Sequence, residues 1–393
     1  MKNIRSFISK NAMFVILLLT MLLFEILLAG ANKASLFDPQ NLTNLIHQNG
    51  FVVILATGML LCILTGGNID LSVGSIVILV GAFAGIFIVN WGINPYVAIV
   101  MCLALGALLG AWQAFWIAYV QLPSFIVTLA GMLMFRGLAL IMMNSQNIGP
   151  FPVEFKALFN NYIPSSWVSD NPDLTLKVSI IIGVVVCIVL ALLEVLARIR
   201  KQKKGYDIEN IIVPIVRVVL VSGILMFVSW RLGQHNGIPV QLILLGAIVL
   251  LYTYFTQNTI YGRYLYAMGG NEKAARLSGI NTKNMLFFAY TNMGLLAGLA
   301  AIVCVARFNQ ASTQAGNGYE LDAIGACYIG GASAYGGVGK VGGAVIGAIF
   351  MGVLNMGMSL LGWDQNLQRV IKGAVLLAAV VFDVISKNRM QTT

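Results

Sequence analysis

The sequence contains few charged residues. Asp, Glu, Lys and Arg together make up only 10% of its 393 residues, whereas 59% are hydrophobic and 41 are glycine. Its mean hydropathy is +0.87. A water-soluble core does not need so large an apolar share, and no polar stretch is long enough to form a separate soluble domain. The composition therefore predicts one polytopic membrane domain over residues 1–393.

Histidine and paired cysteines are also scarce. His47 and His235 are the two histidines, so the sequence has neither an HExxH motif nor a catalytic triad. Five cysteines lie far apart in apolar runs without a CxxC pair, as is typical of small core residues: Cys62, Cys102, Cys187, Cys304 and Cys327. We expect no catalytic, cofactor or metal site in this chain, which disfavours an integral membrane enzyme.

The net charge is +10, and the basic residues lie in short loops beside apolar runs. This pattern is typical of loops on the cytoplasmic side of a membrane rather than of a nucleic-acid surface. The basic residues form four clusters, within residues 2–10, 198–204, 263–283 and 387–389. Since an even number of apolar runs separates each pair of clusters, we expect both termini to be cytoplasmic.

Hydropathy predicts an all-α protein with about 10–12 transmembrane helices, some of them broken or re-entrant. The twelve apolar runs lie near residues 12–30, 50–65, 71–89, 95–119, 125–143, 178–197, 211–231, 238–256, 284–306, 322–335, 342–361 and 370–385. The first run contains Glu25, which favours an uncleaved span over a signal peptide. The tenth is too short to cross alone and contains Gly330 and Gly331, so we expect it to be broken or re-entrant.

The longest outward loop comprises residues 144–177 and contains four prolines. We expect it to be irregular and extracytoplasmic. It could be a landing surface for another protein or a passive connector.

Ionisable side chains within or beside the apolar runs are costly in lipid, so we expect them to face a partner, the bundle interior or water. They are Glu25, Asp70, Arg136, Asp322, Lys372 and Asp383. Asp70 follows Gly66 and Gly67, which should break a span. It either caps the next helix or belongs to a polar binding or gating point.

Residues 320–322, Glu-Leu-Asp, precede a glycine-rich apolar run much as Asp70 does, which suggests two structurally related halves. We take five polar residues as candidates for a translocation path: Asn68, Asp70, Ser72, Asp322 and Asn355.

Glycines recur four residues apart within several runs, at 81/85, 106/110, 294/298 and 343/347. This spacing predicts close helix packing, including a subunit interface. Residues 337–342, GVGKVG, also match a GxGxxG pattern. A phosphate-binding loop of the Walker type would need Gly at 334 and Ser or Thr at 341, where this chain has Ala334 and Val341, so we expect a turn between spans.

A polar loop, residues 261–283, separates two apolar runs long enough to span a membrane. Within it, residues 271–280 contain helix formers followed by Gly279, a typical helix stop. A short helix lying on the cytoplasmic face of a membrane domain is a docking element, and we expect a cytoplasmic partner there.

Five segments together resemble the permease subunits of bacterial sugar ABC importers of the ribose, xylose and galactose type. They are TGGNIDLSVGS at 65–75, LPSFIVTLAGMLMFRG at 122–137, YAMGGNEKAARLSGI at 266–280, YELDAIGACYIGGASAYGGVG at 319–339 and VIKGAVLLAAVVFD at 370–383. The resemblance covers nearly the whole chain. It is greatest to xylose and multiple-monosaccharide permeases, because residues 178–231 add two apolar runs joined by a basic loop at 198–205.

The resemblance implies a homodimeric permease of the bacterial inner membrane. Its partners would be a cytoplasmic ATPase subunit, which binds ATP and Mg, and a periplasmic or lipid-anchored sugar-binding protein. The ATPase contacts would be Asn271, Glu272, Ala274, Ala275, Arg276, Leu277, Ser278 and Gly279. An ion-coupled secondary transporter of small polar solutes is the alternative, although such proteins usually contain interacting ionisable groups within the membrane.

Overall fold

The computed structural model describes residues 12–164, 171–203, 205 and 212–391. The first eight helices are α1 (Ala12–Gly30), α2 (Pro39–Leu64), α3 (Val73–Gly85), α4 (Pro95–Ala118), α5 (Ser124–Met142), α6 (Val153–Asn160), α7 (Pro172–Lys203) and α8 (Ile212–Gly233). They are followed by α9 (Val240–Asn258), α10 (Ile260–Gly270), α11 (Glu272–Leu277), α12 (Thr282–Phe308), α13 (Tyr319–Ile329), α14 (Val341–Leu361) and α15 (Gln365–Gln391). Two short strands, β1 (Tyr162–Pro164) and β2 (Gly237–Pro239), pair antiparallel.

The prediction of an all-α polytopic membrane protein is confirmed. Ten helices of the described chain are long and apolar enough to cross a membrane, with α3 counted together with the π-helical turn Ile86–Asn90 that continues it. Helix α13, which corresponds to the tenth apolar run, has only 11 residues. Helix α15 has 27 residues but contains Arg369, Lys372 and Asp383, and it is not among the ten. Between α2 and α3 the predicted break is present, with Gly66 and Gly67 at positive φ.

Helices α2 and α12 form the centre of the bundle and run antiparallel. Near one end of the pair, the Cys62 thiol donates to the Ala289 carbonyl. Nearly every residue of α2 from Asn49 to Leu64 is buried. Apolar burial on all sides is what a helix surrounded by other helices requires, and it explains the near absence of polar side chains along this stretch.

The glycine pairs pack helices together within one chain. Helices α4 and α12 meet through Gly106, Gly110 and Gly294. A Cβ placed on Gly106 would lie 2.5 Å from the Gly294 carbonyl oxygen, and one on Gly294 would lie 2.3 Å from that of Gly106. Likewise, α14 approaches α13 at Gly347, where a Cβ would lie 1.9 Å from the Ala326 carbonyl oxygen. The close-packing prediction is therefore met inside the chain.

Helices α3 and α13 run in opposite directions. The Cys327 thiol on α13 donates to the Ala56 carbonyl, and Tyr319 at the start of α13 stacks on Phe51 with ring centroids 3.9 Å apart. These two contacts make α13 parallel to α2. The chain reverses direction between α2 and α3, and α3 packs along α12. Just before α3 begins, the Ile69 carbonyl accepts a hydrogen bond from the Tyr290 hydroxyl of α12. The two segments with similar acidic starts thus enter the bundle from opposite ends.

The described part of the long loop between α5 and α7 has more regular structure than the sequence predicted. It contains α6 and β1, and it ends where α7 begins at Pro172. Helix α6 lies at the C-terminal end of α12, since the Asn160 side-chain amide donates to the Ala306 carbonyl over 2.7 Å.

The additional apolar runs at 178–231 form a hairpin of α7 and α8. Small residues bring the two helices together, because a Cβ on Gly183 would lie 2.6 Å from the Ser229 hydroxyl oxygen. The described part of the hairpin is attached to the bundle near β1 and β2, and by an edge-on contact of Phe37 with Phe227. The basic loop at 198–205 lies partly outside the described residues.

Candidate functional site

The break between α2 and α3 holds the first group of predicted path residues. Asp70 is buried, and its Oδ1 accepts from the Ser72 N–H over 2.8 Å and the Ser72 hydroxyl over 2.6 Å. The Gln113 amide of α4 donates to the Ser72 hydroxyl over 2.7 Å. Asn68 accepts from the Ser124 hydroxyl at the start of α5 over 2.9 Å. Asp70 therefore orders the turn that begins α3, as a capping carboxylate would.

The second group lies among four helices. Lys372 of α15 forms an ion pair with Asp322 of α13, with Nζ 3.0 Å from Oδ1. The Asn355 amide of α14 lies 3.4 Å from both Asp322 Oδ2 and the Asn49 Oδ1 of α2. The Asp322 side chain is 4% exposed and that of Lys372 is 18% exposed. This arrangement pairs the charge of Asp322 away from water, as buried charges require.

The two groups do not form one site. The Asp70 N–H contacts the Met59 sulfur, whereas Asn355 contacts Asn49. Ten residues of α2 separate Met59 from Asn49, which corresponds to about 15 Å along the helix axis. The five predicted path residues thus form two separate groups, one near the start of α3 and one near the start of α13, and three of them (Asp70, Ser72 and Asp322) are buried.

A third polar group lies beside the first two and was not predicted. Residues 309–318 cross from the end of α12 to the start of α13 along α3. An antiparallel bridge of Ala311 to Ile148 holds the beginning of the segment. Further along, Arg136 of α5 donates to the Ala315 carbonyl over 2.8 Å and to the Asn317 side chain. The Asn317 amide in turn donates to Gln314 over 3.1 Å.

This third group, Arg136, Gln314 and Asn317, is named the polar patch. Gln314 and Asn317 are exposed, and Arg136 is half-buried. Arg136 lies twelve residues after Ser124 and six before Met142 in α5, about 18 Å and 9 Å from its two ends, so the polar patch lies within the length of a membrane-spanning helix. Polar side chains at that depth are costly against lipid, so we expect this surface to face water or another protein.

The polar patch adjoins the point where the two opposed helices begin. Gly74 at the start of α3 and Gly316 approach so closely that a Cβ on either would lie about 2 Å from the other's carbonyl oxygen. The Glu320 carboxylate at the start of α13 would lie 2.7 Å from a Cβ on Gly74. Two discontinuous helices that meet at membrane depth form the kind of site at which transporters bind solutes.

The predicted docking element is a six-residue helix, α11, at the end of the bundle where α2 ends and α12 begins. Asn271 caps it by accepting from the Ala274 N–H over 3.0 Å. Gly279, at positive φ, ends it, and the Ile280 N–H donates to the Ala275 carbonyl over 3.1 Å. These caps replace the backbone partners that a short helix lacks at its ends, and they hold α11 as one rigid unit.

Seven of the eight residues assigned to ATPase contact are exposed: Asn271, Glu272, Ala274, Arg276, Leu277, Ser278 and Gly279. Ala275 differs from the expectation, because its side chain is only 5% exposed and packs against this chain. Leu277 is 89% exposed and is the most exposed of the large apolar side chains described. Its position on an otherwise polar loop makes it the best apolar anchor for a partner.

Sequence signals pointed to only some of the residues in these polar groups. Arg136 and Lys372 stood out as ionisable residues in apolar runs, but neither partner could be assigned. Asn317 and Gln314 lie in a stretch that is indistinguishable in composition from an ordinary outer loop. Their depth depends on the short length of α13, which brings the preceding segment into the bundle.

Comparisons with known proteins agree with this architecture. A family model described as "Branched-chain amino acid transport system / permease component" matches residues 41–380. The chain is 35% identical to the xylose transport system permease protein XylH of Escherichia coli (strain K12) over 381 residues, which cover 97% of this chain and 94% of that protein. It is 34% identical to the ribose import permease protein RbsC of the same strain over 362 residues, which cover 92% and 91% of the two chains. No solved structure matches.

The family match covers most of the chain, and the two relatives are aligned over nearly their whole lengths. The chain belongs to the family of branched-chain amino acid transport system permease components.

Proposed function

We propose that this chain is the membrane subunit of a bacterial inner-membrane importer that moves a monosaccharide, with ATP hydrolysed by a separate cytoplasmic subunit. The observation that carries the proposal is the polar patch beside the meeting point of α3 and α13. Arg, Asn and Gln side chains supply donors and acceptors of the kind that sugar hydroxyls use. The names of the xylose and ribose relatives support a sugar as the solute.

The path would run between two copies of this chain. The exposed amides of the polar patch cannot face lipid without a large cost, and a second copy placed against α5 and residues 309–318 would enclose them. In this arrangement the two patches line one shared aqueous path, and Arg136 holds residues 315–317 in place along it. Asp70 and Asp322 support the path from behind by fixing the starts of α3 and α13.

The energy would enter through α11, which presents charged and apolar side chains to the cytoplasm. A groove on an ATPase subunit that binds ATP and Mg would receive Leu277, while Glu272 and Arg276 would fix the register. Closure of the ATPase pair on ATP would move α11 as a rigid unit and shift the permease between outward-facing and inward-facing states. A sugar-binding protein outside the membrane would deliver the solute near α6.

An ion-coupled transporter is the second candidate, and one observation favours it. Asp322 and Lys372 are a pair of ionisable groups that interact at membrane depth, as proton and sodium relays require. The exposed Leu277 on α11 supports the ATP-driven alternative more directly, because an ion-coupled transporter needs no cytoplasmic docking helix.

Uptake in proteoliposomes distinguishes the two. Labelled xylose, ribose, galactose and arabinose are offered to the permease with the ATPase and the binding protein each present or omitted, and with or without a proton or sodium gradient. The proposal predicts uptake only with both partners and ATP. Uptake by the permease alone under an ion gradient would overturn it in favour of the second candidate.

A further inference from the structure

Three glycine-rich segments meet at the end of the bundle that carries α11. The first, residues 64–67, leads from α2 towards Asp70. The second, residues 266–269, belongs to the last part of α10, shortly before α11. The third, residues 334–339, connects α13 to α14. We name this three-way contact the glycine junction.

Backbone atoms touch directly in the glycine junction. The Gly337 N–H donates to the Leu64 carbonyl over 3.2 Å. A Cβ on Gly269 would lie 1.9 Å from that same carbonyl oxygen and 2.2 Å from the Gly337 nitrogen. A Cβ on Gly67 would lie 2.0 Å from the Ala334 carbonyl oxygen. Contacts this short leave no room for a side chain at Gly67 or Gly269.

A side-chain hydrogen bond adds to the backbone contacts. The Tyr266 hydroxyl of α10 donates to the Gly339 carbonyl over 2.8 Å. Residues 266–269 therefore contact the third segment at two points, at Gly339 and at Gly337. They contact the first segment at Leu64.

We infer that the glycine junction transmits the movement of α11 to both helices of the candidate path, reaching α3 at its start and α13 at its end, with Gly269 as its central positioning residue. Side chains that pack together can adapt by changing rotamer, whereas backbone groups in contact at van der Waals distance have no such freedom. A rigid displacement of α10 and α11 must then displace residues 64–67, which lead into α3, and residues 334–339, which follow α13.

The inference rests on the proposed function, because it assumes that a partner moves α11. It adds a specific route: two discontinuous helices, one from each half of the chain, are driven from one contact. Energetic coupling between two sites requires an element that has two arrangements, with each site favouring one of them. Here that element is the pair α3 and α13, whose starts meet at Gly74 and Gly316.

Two neighbouring glycines provide a matched pair of variants. A Cβ on Gly269 collides with two backbone atoms, whereas a Cβ on Gly270 meets nothing within 4 Å. Both residues lie in the last turn of α10, so Gly269→Ala and Gly270→Ala alter the same helix by the same methyl group. The full permease, with its ATPase and binding protein in proteoliposomes, is assayed for sugar uptake and for ATP hydrolysis.

Gly270→Ala should keep uptake and hydrolysis within twofold of the wild type. Gly269→Ala should still assemble with the ATPase and hydrolyse ATP within about threefold, but its uptake should fall at least tenfold. The ratio of sugar transported to ATP hydrolysed distinguishes transmission of movement from a purely structural role. A purely structural role would lower assembly, hydrolysis and uptake together and leave that ratio unchanged.

Tyr266→Phe tests the same contact without adding an atom. It should lower the sugar-to-ATP ratio about threefold while assembly stays normal, which keeps the inference testable if Gly269→Ala does not insert. ATP-dependent wild-type uptake together with an unchanged ratio in Gly269→Ala or Tyr266→Phe would overturn the glycine junction alone. Wild-type uptake that needs no ATPase would instead overturn the proposed function, and with it the role given to the junction.

Discussion

Half-buried Lys372 and buried Asp322 form an ion pair that ties α15 to α13, with the lysine nitrogen 3.0 Å from one carboxylate oxygen and 3.2 Å from the other. The two residues are fifty positions apart in sequence, and α14 lies between their two helices along the chain. The pair fixes the short helix α13, whose length alone could not anchor it across a membrane.

Removing one member of this pair should destabilise the protein. Lys372→Met leaves the Asp322 carboxylate buried and unpaired, a change that typically costs about 3–5 kcal/mol, and Asp322→Asn leaves the half-buried Lys372 unpaired at a smaller cost. The double variant Asp322→Asn, Lys372→Met should regain most of that loss, because no charge remains buried. Thermal unfolding of the purified permease measures both effects. Single variants as stable as the wild type would contradict the pairing.

Replacing Leu277 should weaken ATPase binding without affecting the fold. Leu277→Ser alters a side chain that is 89% exposed, so the unfolding temperature should not change. Loss of an apolar anchor from a partner's groove typically costs 2 kcal/mol or more at such hot spots, and we expect affinity to fall at least about tenfold. This affinity is measured by binding of the isolated ATPase subunit to immobilised permease.

Ala275→Arg, on the same helix, is the variant to compare with Leu277→Ser, because it should lower stability as well as binding. Because Ala275 is buried, the arginine should displace α11 from the bundle and lower both binding and stability. Wild-type ATPase affinity in Leu277→Ser would show that the partner binds elsewhere.

The variant Gly106→Ala should push α4 away from α12. Its Cβ would lie 2.5 Å from the Gly294 carbonyl oxygen and 2.9 Å from the Gly298 Cα, and overpacking of this kind costs about 1–3 kcal/mol. Gly246→Ala on α9 is the control, since nothing lies within 4 Å of its Cβ; it should leave stability unchanged or raise it by up to about 1 kcal/mol. Equal unfolding temperatures for the two variants would contradict the packing described.

The orientation of the bundle can be tested with two single cysteines in a background that lacks the native five. Leu277→Cys on α11 and Val153→Cys on α6 replace side chains that are 89% and 76% exposed. They lie near opposite ends of α12, whose 27 residues extend about 40 Å. An impermeant thiol reagent outside intact cells should label Val153→Cys but not Leu277→Cys. The reverse labelling would invert the topology.

Polar-patch variants test the path itself. Arg136→Gln cannot reproduce the forked donation to Ala315 and Asn317, so residues 315–317 lose their support. We expect uptake to fall at least tenfold with ATPase assembly unchanged, whereas Gly137→Ala, whose Cβ meets nothing within 4 Å, should transport normally. Normal uptake by Arg136→Gln would remove the polar patch from the path.

Local sequence signals predicted local structure well. Gly66 and Gly67 marked the break before Asp70, and Gly279 marked the end of α11, because each effect depends only on neighbouring residues. Hydropathy likewise predicted the apolar helices, since the bilayer imposes a length and a composition on each of them.

Relationships between distant residues could not be predicted in the same way. Nothing near Asp322 identifies Lys372 as its partner, and nothing near Arg136 identifies Asn317, because those contacts depend on how helices far apart in sequence pack. The burial of Ala275 has the same origin: a small residue on a docking helix can face the partner or the protein's own bundle, and only the packing decides which.

ATP-driven sugar import is best tested by the ratio of sugar taken up to ATP hydrolysed, in proteoliposomes that contain the permease, its ATPase and its binding protein. Sugar should enter only while ATP is consumed, at a fixed ratio that falls at least tenfold in Gly269→Ala and is kept in Gly270→Ala. Sugar uptake by the wild-type permease without ATP hydrolysis would contradict ATP-driven import.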